Sequence, residues 1–115
     1  MQIGDLTTRS LQAALQGLTA RREATQRNLA NIETPGYQSE IVDFESSLAS
    51  ALQDGDPSSM SVGTTRSMSA TNANGNNVAV DQELTGLTET DLRQQLAIEA
   101  LNAKYRLLRT SITGM

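Results

Sequence analysis

Apolar residues in the first third of the chain recur at alternating intervals of four and three. Leu11, Leu15, Leu18, Leu29 and Ile32 form the series, and Arg22 and Thr25 occupy the two intervening positions. A seam of this kind marks a helix that packs lengthwise against another helix. It predicts one helix from about Asp5 to Asn31, about 40 Å long. The last third repeats the pattern with Leu84, Leu87, Ile98, Leu101, Tyr105, Leu108 and Ile112, where Asp91 and Gln94 fill the gap. A second helix of about 46 Å is expected there, from about Asp81 to Ile112. It carries another stripe on a different face: Leu92, Leu96, Ala100, Ala103 and Leu107. A helix with two apolar stripes must be covered from two directions. The N-terminal helix covers one, and other copies or other subunits are expected to cover the second.

Reading one seam forwards and the other backwards matches their spacings. Leu11 then meets Tyr105, Leu15 meets Leu101, Leu18 meets Ile98, Leu29 meets Leu87 and Ile32 meets Leu84. The polar interruptions coincide, with Arg22 facing Gln94, Thr25 facing Asp91, and Asp91 also within reach of Arg22. The predicted fold is therefore all-α: two long terminal amphipathic helices packed as an antiparallel coiled coil, with a short third helix and a loop-rich middle. A buried polar layer penalises slipped registers, since a shift would set Arg22 or Asp91 against leucine.

Between the long helices, Ile41, Phe44, Leu48 and Leu52 mark the shorter helix, with Asp43 as its expected N-cap. Residues 54–77 change character. Asp54-Gly55-Asp56-Pro57-Ser58-Ser59 and Thr71-Asn72-Ala73-Asn74-Gly75-Asn76-Asn77 have turn composition, and Met60, Val62 and Met68 are the sizeable apolar residues between them. Such a segment cannot bury enough surface to order itself, so it is either flexible or held by a neighbour. A short strand or two at most is expected, for example around Ser61 to Arg66. Three segments follow: 1–33 as the N-terminal helix, 34–80 as the turn, short helix and linker, and 81–115 as the C-terminal helix, together one domain.

Composition narrows the chemistry. The 115-residue chain holds no Cys and no His, so thiolate sites, disulfides and the commonest neutral-pH acid/base are absent. Lys104 is its one lysine and has no serine at helical spacing. Nine basic against thirteen acidic side chains leave a net charge of −4, which argues against a nucleic-acid partner. Asn72, Asn74 and Gly75 superficially suggest a calcium loop, but Ala70 stands at its first position and Asp81 at its twelfth, so a polar turn is the better account. No enzyme activity, small-molecule substrate, cofactor or metal is expected. Met1-Gln2-Ile3-Gly4-Asp5 lacks the basic start and following apolar run of a leader.

The most specific string lies where the first helix must stop: Asn28-Leu29-Ala30-Asn31-Ile32-Glu33-Thr34-Pro35-Gly36-Tyr37. Thr34 precedes a proline and is pushed out of the α region. Pro35 and Gly36 suit the two central positions of a type II turn. Asn31 suits a helix C-terminus because it accepts left-handed geometry. Tyr37 can fold back as an apolar body with a polar tip.

The residues Asn28, Leu29, Ala30, Asn31, Thr34, Pro35, Gly36 and Tyr37 resemble the signature of bacterial flagellar axial proteins, the rod, hook and hook-associated subunits. Short length without an inserted globular domain points to a rod subunit. Val42-Asp43-Phe44, Asn74-Gly75-Asn76-Asn77-Val78 and Lys104-Tyr105-Arg106-Leu107-Leu108-Arg109-Thr110-Ser111-Ile112 are similar to proximal rod members. The resemblance implies a structural component of the basal-body rod, the drive shaft that carries torque across the periplasm. It further implies export through the flagellar type III apparatus. The implied partners are other copies, other rod subunits, the rod–ring adaptor protein, and the membrane ring or export gate at the proximal end. The helices alone would also permit a soluble coiled-coil adaptor or export chaperone.

Overall fold

A computed structural model describes residues 5–114; the leader reading at Met1–Gly4 and the final Met115 lie outside them. The elements are α1 (Leu6–Ala30), β1 (Glu40–Asp43), α2 (Glu45–Gln53), a 3-10 turn at Pro57–Ser59, β2 (Gly63–Arg66) and α3 (Val80–Thr113). The molecule is mostly helical and elongated, 64 × 28 × 14 Å. Both long helices lie where the apolar periodicity placed them. Asp5 caps α1 by accepting from the Thr8 amide at 2.8 Å. Asn31 ends it at φ −108°, outside the left-handed region, and holds the last turn by donating Nδ2–H to the Arg27 carbonyl at 2.8 Å.

Two β-strands amend the all-α expectation. β1 and β2 pair antiparallel, Ile41 opposite Thr65 and Val42 opposite Thr64. Four β-branched residues meet in this ladder, and they suit a pleated pair better than a helix start. β2 lies within the stretch where a strand was expected, whereas Ile41 belongs to β1 rather than to the short helix. Asp43, expected to cap that helix, is instead the last residue of β1, opposite Gly63. Phe44 occupies the cap position of α2, and its amide is met by Glu45 Oε1 at 3.4 Å.

Every element except β2 packs against α1. One face of α1 meets α3. Another, through Leu18 and Ala24, closes the apolar core with Val42 and Phe44, and Ala20, Leu48 and Met60 flank it. So α1 is the helix covered from two sides, and the main core lies beneath the β-pair rather than between the long helices.

Gly17 explains how Phe44 gets in. A Cβ built on Gly17 would stand 2.3 Å from Phe44 Cγ, so the ring lies directly on the α1 backbone. Arg21 closes over the same ring at 4.8 Å from its centroid, and its guanidinium donates to both Glu45 oxygens at 2.8 and 2.6 Å and to the Val42 carbonyl at 2.8 Å. This bidentate pair holds the Glu45 carboxyl down to about 2.

Gly17→Ala sets two effects against each other. Helix propensity favours alanine by about 1 kcal/mol, while overpacking a buried ring costs about 1–3 kcal/mol. With so close an approach the clash dominates, and thermal unfolding followed by circular dichroism is expected to show a melting temperature several degrees lower. Combining it with Phe44→Leu, which makes room, should give a loss smaller than the sum of the two single losses. Additive losses would show that Gly17 and Phe44 do not meet in solution.

Candidate functional site

After α1 the chain reverses at Thr34-Pro35-Gly36-Tyr37. The Tyr37 amide donates to the Thr34 carbonyl at 3.3 Å and Gly36 sits at φ +74°, the geometry of a type II turn. Tyr37 then folds back, and its hydroxyl donates to Asn28 Oδ1 at 3.0 Å. Asn28 is itself buried and fully engaged. Its Oδ1 also accepts from the Glu40 amide at 2.8 Å, while Nδ2 donates to the Glu40 carbonyl at 3.0 Å and to Glu83 Oε1 at 3.1 Å. The two ends of the string, Asn28 and Tyr37, are thus in direct contact, and the amide between them joins α1, β1 and the start of α3.

The other half of the site comes from residues 72–77. Asn76, wholly buried, donates from Nδ2 to the carbonyls of Asn31 and Thr34, both at 2.8 Å. Its Oδ1 accepts from the Val78 amide at 2.8 Å. Asn77 Oδ1 accepts from the Ser39 amide at 2.7 Å, and its Nδ2 donates to the Ser67 and Ser69 carbonyls at 3.0 and 3.3 Å. Gly36 donates its amide to the Asn74 carbonyl at 2.9 Å, and Asn77 donates to the Tyr37 carbonyl at 3.1 Å. A Cβ on Gly75, itself at φ +83°, would lie 3.2 Å from the Gly36 Cα. Two turns some forty residues apart therefore interlock, each presenting the other with hydrogen-bond partners its own neighbours do not supply.

Ser39 and Glu83 are site residues that no sequence pattern singles out, and Asn76 and Asn77 stand out there only within a polar turn and the string similar to rod members. A local signal existed for part of this. Asn74 Oδ1 accepts from the Asn76 amide at 3.1 Å and Asn76 repeats the move on Val78, the Asx-turn geometry that Asn-rich stretches favour. The remote carbonyls that Asn76 and Asn77 satisfy leave no local trace. Of the other motif residues, Leu29 and Asn31 are half-buried, while Ala30, Thr34, Pro35 and Gly36 lie at the surface.

Among the described residues, five polar pairs tie the long helices: Lys104 Nζ to Asp5 Oδ2 at 2.8 Å, Gln12 to the Tyr105 hydroxyl at 3.4 Å, Gln94 to the Thr19 hydroxyl at 3.3 Å, Arg22 to Asp91, and Asn28 to Glu83. The α3 members broadly fall in number as the α1 members rise, so α1 and α3 run in opposite directions. Arg22 pairs with Asp91, and Gln94 takes Thr19 rather than Arg22 as its partner. On α1, Leu18 is buried and Leu11, Leu15, Leu29 and Ile32 are half-buried; on α3, Leu87, Leu101 and Leu108 are half-buried. Leu84 and Ile98 remain 49% and 46% exposed, and Tyr105 is exposed as well.

The buried residues of α3 are instead Thr90 and Ala97. With Glu83 and Lys104 they repeat every seven positions, so the inward face is turned about 60° from the expected seam. Polar pairing explains the turn, because it brings Lys104 to Asp5 and Glu83 to Asn28 while small Thr90 and Ala97 sit at the closest approach.

Away from α1, α3 presents Leu92 and Leu96, both 56% exposed, and Leu107, 65% exposed, together with exposed Ala100 and Ala103. Spaced by three and four residues, these positions line one side of the helix. No described helix is long and apolar enough to cross a membrane.

The chain is similar to flagellar basal body rod protein FlgB of Bacillus subtilis, at 31% identity over 94% of this chain and 94% of that protein. FlgB of Escherichia coli is 28% identical, covering 89% of each chain. FlgB of Salmonella typhimurium is 25% identical over 96% of this chain and 95% of its own. No family model matches the chain.

Asn76→Asp would replace a buried donor with a carboxylate oxygen facing the carbonyls of Asn31 and Thr34. An unpaired buried charge with two acceptors against it costs about 3 kcal/mol or more. Denaturant unfolding should show that loss, and hydrogen exchange should show the Gly36 amide losing protection. A variant as stable as the parent would mean that the two turns are not interlocked in solution.

Acid should unfold the chain in a definite window. Lys104 beside it and the Thr8 amide hold the Asp5 carboxyl down to about 2, matching Glu45, and Arg27 at 2.6 Å lowers Glu40. A carboxylate depressed by folding contributes stability that is present above its unfolded pKa, near 4, and lost as pH falls towards the folded value. Glu83 works in the opposite sense, because burial raises it against the lowering effect of Asn28. Its protonation comes first as pH falls and slightly favours the fold. Urea midpoints are therefore expected to hold between pH 6 and 4.5 and to drop steeply from about 4 to about 2, with a shallower drop in Lys104→Met. An unchanged slope in that variant would remove Asp5 from the account.

Proposed function

Because the chain belongs to the FlgB family, whose members are components of the flagellar basal body rod, we propose that it is a structural subunit of the proximal rod, incorporated through its terminal helices and transmitting torque for motility. The observation that carries this reading is the uncovered face Leu92, Leu96, Ala100, Ala103 and Leu107 on α3. Each leucine removed fully from water contributes roughly 1.5–3 kcal/mol, so repeated copies packed along such a face gain cohesion that an isolated subunit lacks. Ala100 and Ala103 leave room for a neighbouring helix to approach closely.

In this reading α1 and α3 form the antiparallel coiled-coil part of one axial domain over segments 1–33, 34–80 and 81–115. The interlocked turns fix the angle at which the β-pair leaves the helices, a structural rather than a catalytic role. The partners are other copies, other rod subunits, the rod–ring adaptor protein, and the membrane ring or export gate. The site of action is the rod across the periplasm, reached by the flagellar export route.

The test is complementation of a deletion strain, scored by swimming and by electron microscopy of basal bodies. The parent chain should restore rods. Leu96→Lys should not, while the purified variant keeps the parent's circular dichroism and melting temperature because the position is already exposed. Normal flagella in the deletion strain would end the rod assignment; full swimming with Leu96→Lys would end the role of this face.

A further inference from the structure

Asn74–Gly75 is the one Asn-Gly pair in the chain. Glycine leaves its own amide nitrogen unshielded, which makes the preceding asparagine the most open of the chain's asparagines to intramolecular attack. We infer that Asn74 is a spontaneous deamidation site that is open in the unfolded chain and closed by the fold. The Gly75 nitrogen gives up its proton to solvent base and attacks Asn74 Cγ. An N–Cγ bond forms, the Cγ–Nδ2 bond breaks, and the side-chain nitrogen leaves protonated as ammonia. Water, the sole co-reactant, then opens the succinimide at either carbonyl, leaving aspartate or a β-linked isoaspartate at position 74.

Three hydrogen bonds oppose this step in the folded chain. The Gly75 amide, the nucleophile, is engaged with the Asn72 carbonyl at 2.9 Å. Asn74 Oδ1 is held by the Asn76 amide at 3.1 Å, which keeps the electrophilic carbon in the turn. The Asn74 carbonyl is fixed by the Gly36 amide at 2.9 Å. Gly75 is packed so close to the Gly36 Cα, at 3.2 Å from the position a Cβ would take, that ring closure has no slack to use. Reaction must wait for local opening, so it samples only the opened fraction. An isoaspartate at 74 also adds a main-chain carbon and a free carboxylate at the point where the two turns interlock. A chain modified before folding would then have lost the Gly36 contact.

The full chain is incubated at mildly alkaline pH, native and in urea, and digested with trypsin. The peptide Ser67–Arg93 is scored for the one-dalton gain, for the position of that gain, and for isoaspartate. The gain is expected at position 74 and at least about tenfold faster in urea. Asn74→Ser should abolish it, and the purified isoaspartyl chain should melt several degrees below the parent. Equal rates in the two states, or modification mapping to Asn72, Asn76 or Asn77, would overturn the proposal, as would an isoaspartyl chain as stable as the parent.

Discussion

One buried amide holds this structure together. Asn28 satisfies both its donors and both its acceptor positions with Tyr37, Glu40 and Glu83. Those partners lie on the returning turn, the first strand and the last helix, so four stretches of chain meet at one side chain. Leucine at this position would leave the partly buried Glu40 amide and carbonyl without their side-chain partner. Asn76 does the complementary task further along the chain, accepting one backbone amide and donating to two carbonyls. The corner of the molecule is thus built from backbone groups and amide side chains, and each bond gains weight from the burial of its neighbours.

That choice follows from composition. With two Tyr, one Phe and no Trp, the chain has one large side chain for its core, Phe44, and places it against the bare backbone of Gly17. Most of the remaining alanines and leucines lie on the two long helices, which cannot wrap round a centre. Between α1 and α3 the buried residues include Thr8, Thr25, Thr90 and Ala97, and the rim is crossed by Lys104–Asp5 and Arg22–Asp91. Exposed or half-exposed pairs of this kind add little stability. What they add is registry, because sliding one helix past the other strands their charges.

A subunit made this way is well specified and thinly cemented, which suits a component of the flagellar basal body rod. Its internal contacts settle which face of α3 turns inward, and they leave Leu92, Leu96 and Leu107 outside. The fully buried positions of α3, Thr90 and Ala97, are small, and Leu87, Leu101 and Leu108 beside them are half-buried.

Much of this was legible in the residues. The extents of α1 and α3, the type II turn at Pro35-Gly36, the strand near Thr64 and the second stripe on α3 follow from periodicity and backbone preference, which act over a few residues. The tertiary structure alone decided the rest. Asp43 left its expected capping role because the Ile41-Val42 backbone found a partner in Thr64-Thr65, twenty-odd residues away. The inward face of α3 turned from Leu84 and Ile98 to Thr90 and Ala97 because Asp5 and Asn28 offered polar partners. Asn76 and Asn77 read as turn residues, flexible or held by a neighbour, and the fold supplies the neighbour in the carbonyls of Asn31, Thr34, Ser67 and Ser69. Local preference determines which conformation a segment favours. Whether a polar side chain meets water or a backbone group depends on what the fold carries to it, and that partner lies outside any local window of sequence.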